Sequence, residues 1–66
     1  MRTHIITYHD KNNRILGERL LYDLTNKQAI ELLNGIKVWA HAMFPDCKFI
    51  RLENLHSGDV ICSCGV

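Results

Sequence analysis

Proline occurs once in these 66 residues, glycine four times and cysteine three times. With only Pro45 to interrupt it, the chain has no proline-rich stretch, no low-complexity segment and no linker. The odd cysteine count argues against a disulfide framework, and Cys62 and Cys64 are too close for a relaxed bridge. Charge of one sign is missing too. Eight basic residues stand against seven acidic ones, for a formal charge of +1, so no strong field draws the chain to nucleic acid or anionic lipid. No run approaches the roughly 20 apolar residues that span a bilayer, and no membrane partner is expected. Met1-Arg2-Thr3-His4 lacks the apolar stretch of a secretory leader. The expected location is cytoplasmic, with reduced thiols.

Catalytic signatures are absent as well. There is no Gly-rich phosphate loop, no paired-carboxylate motif and no H-E-x-x-H. A Cys–His dyad can be drawn on paper, but three cysteines and four histidines offer such pairs by chance. A chain this short also has little volume for a substrate pocket of about 300 Å³ or more. The expectation is a protein that is not an enzyme and holds no cofactor.

What is present is one well-punctuated helix. Thr25 is placed to cap it, Gln28 three residues on completes a capping box, and Phe44-Pro45 stops it. Between them Ala29, Leu32, Leu33, Ile36, Ala40 and Met43 recur at i, i+3, i+4, i+7 spacing, with Trp39 on the flank. The spacing predicts a helix over residues 25–43. Asn34-Gly35 is its weak point, because Gly in a helix costs about 1 kcal/mol relative to Ala and Asn-Gly is a turn signal. The alternative ends the helix at Leu33 and makes Ile36 to His41 a strand.

The flanking segments read as strands. Thr3 to His9 is rich in β-branched and aromatic residues. Asp10-Lys11-Asn12-Asn13 suits a hairpin turn, and Arg14 to Tyr22 returns, with Gly17 as a possible bulge. After Pro45, Cys47 to Glu53 forms a third strand and Val60 to Cys64 a fourth, joined by loop chemistry at Asn54 to Asp59. Gly65-Val66 is expected to fray. The resulting fold class is α+β: a single domain over 1–66, β-β-α-β-β, with one helix packed on one face of an antiparallel sheet.

The strands do not alternate cleanly between apolar and polar residues. Ile5 opposes Ile6 and Tyr8; Ile15 and Leu21 oppose Leu16, Leu20 and Tyr22; Phe49 opposes Ile50 and Leu52; Val60 opposes Ile61. Four strands at about 4.8 Å spacing span nearly 20 Å, whereas a helix is about 10–12 Å across. One helix therefore leaves apolar surface uncovered, and uncovered patches on small proteins mark interfaces. A chain of this size buries only about 60% of its unfolded surface, which adds to the pressure for a metal, disulfides or a second copy. A weaker hint is the row Glu31, Gly35, Val38 and Ala42, whose small residues would let another backbone approach.

Three readings compete. The preferred one is a non-catalytic protein–protein interaction module that docks a protein partner or itself as a homodimer. Tyr8, Arg19, Tyr22, Phe49 and Arg51 are its candidate contact residues, because aromatic and Arg side chains dominate interface energetics. Single-sheet, single-helix chains of this size are common among phage and mobile-element accessory proteins that inhibit or mask a host protein. That parallel is one of size and architecture only. The second reading is a nucleic-acid-binding regulator. Arg14, Arg19, Lys48 and Arg51 interleave with Tyr8, Tyr22 and Phe49 as on single-strand-binding sheets, but Glu18, Glu53 and Asp59 lie among them. The third is a zinc-stabilised module, with Cys47, His56, Cys62 and Cys64 as candidate ligands. Its difficulty is that C-x-C in an extended strand holds the two backbones almost 7 Å apart.

Overall fold

Thr25 begins the helix as its spacing requires. In a computed structural model describing Met1–Val66, the Thr25 hydroxyl accepts the Gln28 amide at 3.2 Å, and the Gln28 side chain accepts the Thr25 amide at 2.9 Å. These reciprocal bonds satisfy two donors that a helix start otherwise leaves orphaned. The helix α1 runs Asn26–Ile36, tightens to a 3₁₀ turn at Lys37–Trp39, and ends as α2 at Ala40–Met43. Together they form an 18-residue rod. It passes through Asn34-Gly35 without becoming a strand, and Phe44 leaves it in extended conformation.

Four antiparallel strands complete the β-β-α-β-β fold: β1 Arg2–His9, β2 Ile15–Tyr22, β3 Phe49–Asn54 and β4 Val60–Gly65, in spatial order β2-β1-β3-β4. The β1–β2 hairpin turns on Asp10, whose carboxylate accepts the amides of Asn12 at 2.8 Å and Arg14 at 2.9 Å. Those bonds hold the Asp10 carboxyl below its ordinary range, that from Arg14 most of all. Asn13 takes the left-handed φ of 63° that closes the turn. Asn tolerates that region better than most residues. At the other end Val66 donates to the Lys48 carbonyl at 3.0 Å, so the expected fraying of Gly65-Val66 gives way to pairing.

The helical rod covers the side of the sheet that carries Ile6, Tyr8, Leu21, Ile50 and Leu52, all nearly inaccessible. Ala29, Leu33 and Ala40 meet them from the helix. Gly17 is required here by close approach. It lies opposite Tyr8, and a Cβ at position 17 would stand 2.4 Å from Cζ of Phe44, whose ring packs on Tyr8 at 5.0 Å. Met43, placed in the core by its spacing, is instead exposed. The next residue, Phe44, packs against the core in its stead.

Both edge strands carry a bulge, and both bulges change which side a residue faces. Tyr8 pairs with Gly17 but His9 pairs with Ile15, leaving Leu16 extra; Leu52 pairs with Cys62 but Glu53 with Val60, leaving Ile61 extra. Leu16 and Ile61 pack against the core, whereas Ile15 and Val60 are turned to the uncovered side. Simple alternation groups Ile15 with Leu21. A one-residue insertion reverses that grouping.

Candidate interaction surface

On the uncovered side the register builds three cross-strand rows, read from β2 to β4. The first is Leu20, Ile5, Glu53 and Val60; the second Glu18, Thr7, Arg51 and Ser63; the third Ile15, His9, Phe49 and Gly65. Apolar groups thus dominate the two outer rows, and polar groups the middle one. Ile15, Leu20 and Val60 keep 60%, 37% and 51% of their exposure, while Ile5 and Phe49 are half-buried. Beside the first row, Arg2, Ile5, Glu18, Leu20 and Leu55 line a shallow depression of about 540 Å³.

The centre of this face is tied together by its own contacts. Thr7 and His9 lie on β1, flanked on both sides by paired strands, and both are buried although no helix crosses them. Thr7 Oγ1 and His9 Nε2 share a hydrogen bond of 2.7 Å, and the His9 ring stacks on Phe49 at 4.5 Å and 3°. Arg51 reaches Glu53 at 3.6 Å along β3. Glu18 has no cation within ion-pair distance. His9 Nδ1 is a second unpaired buried group besides the Tyr8 hydroxyl.

Of the five residues singled out by type, Phe49 and Arg51 lie on this face, and so does Tyr22, which follows Leu20 and Leu21 in alternation and pairs with Arg2 at the rim of the depression. Tyr8 is beneath the helix, its hydroxyl is unpartnered, and burial pushes its pKa above the ordinary phenol value. It is a core residue and cannot contact a partner. Arg19 pairs with Ile6, so it projects on the helix side at the sheet edge, and Tyr22 is exposed at the end of β2. Ile5, Ile15, Leu20 and Val60 are the contact candidates that residue type missed. The parity of β1 and β2 already exposes Ile5 and Leu20, but Ile15 and Val60 require the bulges.

The zinc candidates do not converge. Cys47 precedes β3 and His56 comes after it, so a six-residue strand of about 20 Å separates them. Cys62 and Cys64 face the helix side opposite Leu52 and Ile50. Burial first, and then neighbouring Cys64, push the Cys62 thiol up. No group of three or more His, Cys, Asp or Glu is gathered to hold a metal.

One arrangement has the order of a catalytic relay. Asn54 Oδ1 accepts the amides of His56 at 2.8 Å and Ser57 at 3.0 Å, so its Nδ2 donates to Asn26 Oδ1 at 2.9 Å. Asn26 Oδ1 is then an acceptor for His4 Nε2–H at 2.8 Å, and His4 Nδ1 accepts the Thr3 hydroxyl at 2.9 Å. Hydroxyl, imidazole and amide are in line, as nucleophilic catalysis requires. Yet His4 is buried, the Thr3 oxygen already accepts the Leu24 amide at 3.2 Å, and neither surface depression is lined by any of the three. The network ties the helix start to β1 and to the β3–β4 loop.

No known family model, curated protein or solved structure matches the chain. No helix is long and apolar enough to cross a membrane.

Proposed function

We propose that the chain is a small non-catalytic binding module that docks a protein through the open face of its sheet and acts by masking or bridging what it binds. The observation that carries this reading is the set Ile15, Leu20 and Val60, exposed on a face no helix covers and adjoining half-buried Ile5 and Phe49. Apolar area removed from water contributes about 25 cal/mol per Å², and a face with this content gains by being covered. The contacts among Thr7, His9 and Phe49 already fix those side chains, which lowers the ordering cost of docking. Nucleic acid fits the face less well. Glu18 and Glu53 offset Arg51, and one side of the Phe49 ring is already covered by His9.

A photoreactive benzophenone side chain tests the proposal when installed at position 20 on the open face or at Lys27 on the helix. Illumination in cells making the protein should give discrete adducts from position 20 and few from position 27. Equal yields, or none from position 20, would contradict it.

A further inference from the structure

Resting on the reading of the open face as a docking surface, we propose that its occupant is a second copy of this chain, packed face to face about a two-fold axis that runs along the strands above β1. The middle row supplies the reason. Glu18 and Arg51 both pair with Thr7, on opposite sides of β1. An axis over Thr7 parallel to the strands exchanges β2 of one copy with β3 of the other. Glu18 then faces the partner's Arg51, and Arg51 faces the partner's Glu18. The same operation sets Ile15 against the partner's Phe49 and Ile5 against the partner's Ile5, lays Leu20 over the methylene stem of the partner's Glu53, and leaves Val60 at the rim, outside the partner's edge strand. Glu18 is without a cation in its own chain, and Arg51 makes a single 3.6 Å contact with Glu53. Guanidinium offers five donors in a planar fork, so most of them stay free for the partner's carboxylate.

Charge also rejects the obvious competitor. A two-fold axis across the strands through the same row would stack Glu18 on Glu18 and Arg51 on Arg51. Like-charge juxtaposition of that kind is strongly unfavourable in a closed interface. Two-fold dimers are the commonest closed assemblies, and every contact off the axis, the Glu18–Arg51 pair included, occurs twice in them. Sheets packed this way sit about 10 Å apart with strands within roughly 30° of alignment.

Sedimentation equilibrium over a concentration series, with Glu18→Arg, Arg51→Glu and the double exchange, is the test. The wild type should move from 7.6 kDa towards twice that mass. Each single reversal should weaken the dimer at least about thirtyfold, since it spoils two charge pairs at once. The double exchange restores both pairs and should return the affinity to within about threefold of wild type. Both positions reach solvent, and far-ultraviolet circular dichroism verifies that each variant keeps its fold. A wild type that stays monomeric to millimolar concentration would overturn the proposal. So would a dimer indifferent to the single reversals or not rescued by the double one. In those cases, position-20 adducts with other proteins would leave the docking reading standing, and the absence of adducts would remove it as well.

Discussion

On the helix-covered face of the sheet, Ile6, Tyr8, Ile50 and Leu52 retain 1% of their exposure or less; on the other face, Ile15, Leu20 and Val60 retain between 37% and 60%. The same four strands supply both sets. The difference is in what closes each side. The covered face is sealed by apolar contact with Ala29, Leu33 and Ala40, whereas the open face is ordered at its centre by one hydrogen bond and one ring stack, between Thr7, His9 and Phe49. Folding needs the first face. The apolar content of the second exceeds what folding needs, and that surplus points to docking.

Adjacent residues give the sharpest way to break the comparison. Ile6 is in the core and Ile5 faces the open side. Ile6→Ala should lower the unfolding free energy by about 2–5 kcal/mol, as large-to-small core changes do. Ile5→Ala should cost about 1 kcal/mol or less. Equal losses in urea titrations would mean that both faces serve the fold alike. Gly17→Ala comes next, because its methyl must displace the Phe44 ring from its seat on Tyr8. Overpacking of that kind should cost about 1–3 kcal/mol.

Tyr8→Phe is expected to have the smallest effect near neutrality. It removes a buried hydroxyl that has no partner, so stability should change by about 1 kcal/mol or less in either direction. Its signature is in the pH dependence. Burial raises the Tyr8 pKa in the folded state, ahead of the opposing pull of Arg19. A raised folded value means a contribution fully present below the unfolded pKa of about 10, and lost as pH rises through the folded one. The variant should therefore lose less stability than wild type between pH 8 and 11. Parallel losses would show that the phenol is not desolvated.

Local chemistry is the readable part of the chain. The Thr25–Gln28 box, the stop at Phe44-Pro45 and the Asp10–Asn13 turn each depend on residues within a few positions of one another. Pairing is not readable, because a bulge is defined by the strand opposite. Leu16 and Ile61 carry nothing in their own sequence to announce that they are extra. The 3₁₀ turn after Asn34-Gly35 is an intermediate case. The weakness is visible at Gly35, but the tightening of the rod two residues later, at Lys37–Trp39, is not. Choosing contact residues by type places Tyr8 on the surface, although parity with Ile6 puts it in the core. Parity is the better guide for Phe49 and Arg51.

Val38 provides the strictest comparator for position 20. It is 72% exposed on the helical rod, more open than Leu20 at 37%, and equally apolar. If exposure alone drew partners, a benzophenone at position 38 would cross-link more than one at position 20. The open sheet face predicts the reverse, with discrete adducts dominated by position 20; a higher yield from position 38 would contradict it.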